Sequence, residues 1–298
     1  MTPNTKAHLA LFSVALIYGA NYTIAKEVMN NDYIQPLGFI LMRAACASTL
    51  FWFFHMSFIR EKVAPADFGL LFICGLFGVA INQMLFFSGL KLTSPINASL
   101  MITTIPIAVI LFAPFVTGEQ ITKRKILGIA IGAAGAVLLV THGKDVQFSV
   151  AGLKGDLMIL GNSISYGLYI VLVKKLMLKY HPITVVKWVF TFGLLIIIPF
   201  GWKEAMQVNW ASFPIPIWMA FFYVLFFTTF LAYLFNAFAL KTVDSTVVGM
   251  YVYLQPLIAA IIALLLAKDV LSFPKIIAGC LIYVGVYLVS STRSKKTT

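Results

Sequence analysis

Apolar residues in this chain fall in blocks of about 20, separated by short polar breaks. That length carries a helix across the ~30 Å hydrocarbon layer of a bilayer, where only helices and closed barrels satisfy their own backbone hydrogen bonds. The blocks lie near residues 7–27, 36–55, 67–90, 95–116, 125–141, 155–174, 183–202, 215–240, 245–266 and 273–291. They predict an all-α polytopic membrane protein with ten transmembrane helices. A barrel would show short alternating segments, and none is visible. Only 11% of the 298 residues are charged, against roughly 25% in a soluble domain. The longest polar stretch has about a dozen residues, so no soluble domain is appended and function has to sit inside the bundle. The run from Ala7 to Ala25 lacks a clear small-x-small cleavage site and reads as an uncleaved first helix. Cys46, Cys74 and Cys280 lie within the spans, read as packing residues, and suggest neither a metal site nor a disulfide. No cofactor motif is present.

The second half of the chain repeats the first. At a shift of 150 positions Lys91 falls on Lys241, Pro106 on Pro256, Lys125 on Lys275, Gly135 on Gly285 and Glu119 on Asp269. Nearer the start of each half the shift is 148: Tyr18-Gly19 meets Tyr166-Gly167, and Lys26 meets Lys174. The repeats are residues 1–145 and 146–298, with five spans each. Five is odd, so the second half enters the membrane from the opposite face and the repeats are inverted, an arrangement suited to alternating access.

Charge fixes the orientation. With a cytoplasmic N-terminus, the inside segments hold Lys6, Arg60, Lys62, Lys123, Arg124, Lys125, Lys174, Lys175, Lys179, Lys241, Arg293, Lys295 and Lys296, thirteen cations. The outside segments hold seven: Lys26, Lys91, Lys144, Lys154, Lys203, Lys268 and Lys275. The positive-inside rule then puts both termini in the cytoplasm. The expected location is the cell (inner) membrane. The net charge of +12 thus reflects topology rather than nucleic-acid binding.

Each half resembles an EamA domain of the drug/metabolite transporter superfamily. The first half carries Tyr18-Gly19-Ala20-Asn21-Tyr22, Pro36 to Arg43-Ala44-Ala45, Phe87-Ser88-Gly89-Leu90-Lys91-Leu92-Thr93-Ser94, Ile105-Pro106, Gly118-Glu119 and Gly128 to Val140. Its counterparts are Ser165-Tyr166-Gly167-Leu168-Tyr169, Phe238-Ala239-Leu240-Lys241, Leu254-Gln255-Pro256, Lys268-Asp269 and Gly279 to Val289. Three features depart from the family pattern: Tyr18 replaces the usual Trp, Asp269 replaces the usual Glu, and Arg43 has only Lys187, imperfectly spaced, as a counterpart. The resemblance implies a ten-helix bundle with a central cavity that moves small metabolites, often outward, with amino acids and related compounds as common cargo. The alternative is import or exchange of phosphorylated or nucleotide-sugar metabolites. A cavity in which only Arg43 lies deep is poor in cations for a phosphate.

Polar groups at mid-span are costly in hydrocarbon and face a cavity or another helix. The first helix offers Tyr18, Asn21 and Tyr22, which share one face. The third offers Asn82 and Gln83, with Phe86 and Phe87 a turn away, and the fourth Thr103 and Thr104 before Pro106. The sixth offers Asn162, Ser165, Tyr166 and Tyr169, the eighth Tyr233 and Asn236, and the ninth Tyr251, Tyr253 and Gln255. Aromatic walls with a few amides and hydroxyls suit an amphipathic small molecule. Interhelical hydrogen bonding is the plainer role for any one of them. Arg43, two turns into the second helix, either binds a carboxylate of the cargo or a helix C-terminus, or snorkels to the interface. Lys187 is expected to snorkel. Pro106 and Pro256, at matched mid-span positions, predict kinks that either act as hinges or shape the bundle statically.

All ten acidic residues lie near span ends, which argues against a buried-acid proton antiporter. Gly128, Gly132, Gly135, Gly279 and Gly285 are expected to pack the fifth helix against the tenth, with a homodimer face as the alternative to a monomer. An intramembrane enzyme would need a catalytic motif, and a channel a filter sequence or a charge ring. Neither occurs.

Overall fold

The computed structural model describes residues 2–29, 33–142, 150–265 and 272–291, and every regular element among them is helical. Nine helical runs among these residues are long and apolar enough to cross a membrane. They are α2 (Pro36–Ile59), α3 (Pro65–Leu92), α4 (Pro95–Ile102 and Ile105–Thr117), α5 (Lys123–Thr141), α6 (Val150–Lys179), α7 (Pro182–Met206), α8 (Ile215–Leu240), α9 (from Ser245 through Leu265) and α10 (Phe273–Ser290). The first expected span falls within α1 (Pro3–Met29), a helix of 27 residues. Large apolar side chains such as Phe58, Phe115, Ile215 and Phe273 stand exposed on the outer surface. A soluble fold would bury them, whereas a lipid-facing surface requires them.

Local chemistry sets the helix ends. Prolines at 36, 65 and 182 occupy first turns, where the missing N–H costs nothing. Ser94 and Thr122 cap α4 and α5 by accepting from the N–H groups of Asn97 and Lys125. Gly118, at φ 68°, ends α4 in the left-handed region that glycine enters freely. Helix α6 runs well past the expected 155–174 at both ends, because its lysines continue the helix beyond the apolar run. Asp156 consequently sits inside the helix rather than at its end. It is buried and accepts from Thr93 Oγ1 (2.5 Å) and Asn97 Nδ2 (3.3 Å).

The start of α2 shows how helices satisfy each other's ends. Gln35 supplies no side-chain cap. Glu204, from the end of α7, accepts instead from the N–H groups of Leu37 (2.8 Å) and Gly38 (3.0 Å). Gly38 is required there, since a Cβ would come within 2.8 Å of the Ala205 backbone nitrogen. Glu204→Ala is expected to cost about 1 kcal/mol, the usual value of a lost N-cap, read as a lower unfolding temperature of the purified protein.

Four interruptions fall at matched places. A π turn occupies Leu76–Ile81 in α3 and another Val224–Leu231 in α8. Helix α4 breaks at Thr103-Thr104, and α9 tightens to a 3-10 turn over Tyr251–Tyr253. Both breaks precede the expected kink prolines. The rings of Pro106 and Pro256 exclude the carbonyls of Ile102 and Val252 from helical bonding, so the helix restarts after them.

Packing follows the same correspondence. The pairs α5 with α10 and α2 with α7 join equivalent helices, while α3 with α6 mirrors α8 with α1, and α4 with α6 mirrors α9 with α1. A Cβ on Gly128 would meet the Gly285 carbonyl at 2.9 Å, and one on Gly135 the Ala278 carbonyl at 2.8 Å. Helices α5 and α10 therefore run antiparallel at backbone contact. Gly279 takes no part in this: its nearest neighbour is Leu257 on α9, at 3.4 Å.

One end of the bundle is tied by buried charge. Lys125 Nζ lies 2.9 Å from both Glu119 Oε1 and Asp244 Oδ2. Thr246 donates to the same Glu119 oxygen. Lys174 donates to the carbonyls of Leu240 (2.5 Å), an orphan acceptor at the end of α8, and of Val243 (2.6 Å), in the turn that follows. Asp244 precedes α9 but makes no side-chain cap bond. Its carboxylate is turned to Lys125.

Candidate functional site: a central polar cavity

The interruptions converge on one cavity, with ≈590 Å³ of empty space that includes its opening to solvent. It draws Tyr18 and Asn21 from α1, Arg43 from α2, Asn82, Gln83, Phe86 and Phe87 from α3, Asn162 and Tyr166 from α6, and Tyr233 from α8. The breaks of α4 and α9 supply Ile102, Ile105, Val252 and Gln255. Nine expected residues thus meet: Tyr18, Asn21, Arg43, Asn82, Gln83, Phe86, Tyr166, Tyr233 and Gln255.

The π turns organise this wall. A π turn leaves helical carbonyls without their usual partners. Tyr233 Oη, just after the α8 turn, donates to the carbonyl of Gly78 within the α3 turn (2.9 Å) and lies 3.3 Å from Asn82 Oδ1. Asn162 Nδ2 donates to the Asn82 carbonyl (2.8 Å). Asn236 Nδ2 donates to Tyr166 Oη (3.1 Å). The rings of Tyr166, Tyr169 and Tyr233 cluster with centroids 5.7 to 6.4 Å apart.

Other expected residues stand elsewhere. Tyr169 lies flat on Gly78, where any Cβ would run into its ring, and it locks α6 to α3 rather than lining the cavity. Thr103 donates to the Leu100 carbonyl (2.6 Å) inside the α4 break and does not reach the cavity either. Asn236 and Tyr251 line a smaller adjoining space of ≈280 Å³ that shares Tyr18, Tyr166 and Gln255 with the central one. Tyr251 Oη pairs there with His8 Nδ1 (2.8 Å). The side chain of Tyr22 lies outside the described residues. Ile102, Ile105 and Val252 were not foreseen, and their only signal was adjacency to the kink prolines.

The two deep cations have different settings. Arg43 is 3% exposed and turned into the cavity, not toward the interface. Its Nε donates to Thr229 Oγ1 (2.8 Å), and its guanidinium stands 4.3 Å above the Phe87 ring. Lys187 does not snorkel: it is 3% exposed, 4.2 Å over the Trp52 ring and 3.3 Å from His55 Nδ1. An aromatic cage takes the place of the interface.

Apolar helices packed round a cavity lined by amides, tyrosines and one arginine suit a membrane carrier. The chain belongs to the EamA-like transporter family, whose pattern it matches over residues 5–141 and again over 153–291. It is 30% identical to an uncharacterized transporter of Archaeoglobus fulgidus over 97% of this chain and 98% of that one. A more distant relative, the probable terminal-alkyne amino-acid exporter of Streptantibioticus cattleyicolor, is 22% identical over 75% of this chain and 73% of its own. One solved crystal structure shares the fold, with a TM-score of 0.79 over 96% of this chain and 98% of its own at 18% identity. The protein is thus a multi-pass membrane transporter for a small molecule, not an enzyme.

Proposed function

We propose that this protein is a secondary transporter that exports small amphipathic metabolites, amino acids or related compounds among them, across the cell membrane by alternating access about the central cavity. In this reading α1 also crosses the membrane, making ten spans in two inverted repeats, residues 1–145 and 146–298, with both termini cytoplasmic. The antiparallel contact of the equivalent helices α5 and α10 supports inversion. So does the meeting of the end of α4 (Glu119) with the start of its counterpart α9 (Thr246). The observation that carries the reading is that both halves contribute to one cavity wall the residues beside matched breaks and those that follow matched π turns. Breaks let a helix bend without unfolding, so Pro106 and Pro256 act as the hinges. The glycine faces that would serve a homodimer are used inside the protomer at Gly128 and Gly285, which favours a monomer.

The test is uptake of labelled amino acids and related small acids into proteoliposomes. Asn21→Ala and Gln255→Ala are expected to cut the rate at least about tenfold while the folded yield is unchanged. Wild-type rates in both variants would remove these residues from the cargo path.

A further inference from the structure

The cavity holds one fixed charge and nothing that balances it. Among the described residues lining it there is no carboxylate, and none forms an ion pair with Arg43. The Phe87 face and the Thr229 hydroxyl engage part of the guanidinium. Thr229 itself is fixed, because its hydroxyl donates to the Val224 carbonyl across the α8 π turn (2.8 Å). Nη1 of Arg43 is buried without any hydrogen-bond partner. A buried, uncompensated charge is among the more expensive features a fold can keep, and such strain marks a group held ready for a ligand.

Asn21 Oδ1, in the same wall, is likewise buried without a partner. Gln83, in the same wall, has both amide atoms, Nε2 and Oε1, buried without a partner. The cavity therefore presents an orphan cationic donor at Arg43, orphan acceptors at Asn21 and Gln83, and an orphan amide donor at Gln83, between aromatic and aliphatic surfaces. We infer that the cargo is a monocarboxylate bearing at least one hydrogen-bond donor, a hydroxyl or an amine, on a mainly apolar body, and that Arg43 selects it by its charge. This rests on the transport reading above and narrows it. A single guanidinium balances one negative charge and leaves a phosphate dianion half-compensated in a low-dielectric site. A cation without a carboxylate meets only repulsion from Arg43. The carboxylate completes the planar donor set of the guanidinium, and the donor group satisfies Asn21. Thr229 is a positioning residue that aims Arg43 from the neighbouring helix.

The experiment uses the purified full chain and four probes with one common body: phenyllactate, phenylalanine, phenyl phosphate and phenethylamine. Thermal unfolding is measured with each, for wild type, Arg43→Met and Arg43→Lys. Phenyllactate or phenylalanine is expected to raise the wild-type unfolding temperature, with phenyl phosphate and phenethylamine giving smaller shifts or none. Without ligand, Arg43→Met is expected to be at least as stable as wild type, since an apolar side chain replaces an uncompensated charge. Its apparent affinity for the carboxylates falls at least about tenfold, and Arg43→Lys recovers part of that loss.

The inference is overturned if Arg43→Met is less stable than wild type and responds to the carboxylates as wild type does, or if phosphate or amine stabilises the wild type more than the carboxylates. Counterflow in proteoliposomes separates the two readings. Movement of phenethylamine but not of the carboxylates removes the charge selection and leaves transport standing. Carboxylate stabilisation without movement of any probe leaves the binding site and removes transport.

Discussion

Lys125→Met is expected to lower folding stability by about 3–5 kcal/mol, the cost of removing one partner from a buried ion group. The side chain is fully buried, and its ammonium stands 2.9 Å from two carboxylates on different segments. Methionine nearly preserves the volume and leaves both anions without a cation. Glu119, 5% exposed at its side chain, is then stranded in the protein with only the Thr246 hydroxyl. Asp244, 26% exposed, retains water. The penalties therefore rank Lys125→Met first, Glu119→Gln second and Asp244→Asn third. Non-additivity gives an internal check. Adding Glu119→Gln to Lys125→Met recovers stability, because it removes one of the stranded charges. Unfolding temperatures of the four proteins in one detergent test the order. Equal, small shifts for all single variants would mean that water reaches the cluster and that its charges are screened. The consequence for transport comes from position. The cluster joins the end of α4, the start of α5 and the start of α9, with Lys174 holding the end of α8 alongside. These elements separate if this end of the bundle opens. In the proposed alternating-access cycle, weakening the cluster is expected to shift the conformational balance as well as the folding balance.

How much of this was legible beforehand depends on the distance over which each feature is encoded. Apolar blocks are local, and α2 begins at the expected Pro36 and ends at Ile59, four residues past the expected 55. Prolines are local too, so the interruptions at Thr103-Thr104 and Tyr251–Tyr253 fell beside the residues that mark them. The π turns were not legible. Each inserts an extra residue into a turn and rotates the remainder of the helix by about 100°, so face-counting along α3 and α8 loses its reference. Thr103 failed for a related reason: inside a break its hydroxyl serves the Leu100 carbonyl, whatever face the spacing assigns it. For Arg43 the spacing does not decide between cavity and interface, since sequence alone does not fix the rotation of a helix about its axis. The ion cluster was invisible because its partners lie 119 and 127 positions apart. The position of an acid near a span end holds no sign that Glu119 and Asp244 share one lysine or that Asp156 is buried against Thr93 and Asn97.

Gly285→Leu is expected to destabilise the protein by about 3 kcal/mol, the upper range for overpacking a closed contact. Even the first atom added has no room. A Cβ at 285 would lie 2.6 Å from the Gly128 carbonyl and 2.7 Å from the Gly132 nitrogen, both backbone atoms that no rotamer change can move aside. Gly285→Ala shares that clash. Gly279→Ala, one and a half turns earlier on the same helix, meets only the end of Leu257 at 3.4 Å. It relieves glycine's helix penalty and is expected to stabilise by up to about 1 kcal/mol. Two identical alanine substitutions in α10 thus carry opposite signs, which separates packing from helix propensity within a single experiment. The equivalent contact supplies a second control. A Cβ on Gly135 would meet the backbones of Ala278 and Ile282 at 2.8 and 2.9 Å, so Gly135→Leu matches Gly285→Leu in size. The two contacts are related by the same exchange of halves that pairs α5 with α10. A bundle whose central helices rearrange during transport needs a pair that does not, and backbone-to-backbone contact over two turns is the least deformable joint available to α-helices. A Gly285→Leu protein that unfolds at the wild-type temperature would mean that α5 and α10 part easily. The pair would then belong to the moving elements, and the hinge role of Pro106 and Pro256 would have to be assigned afresh.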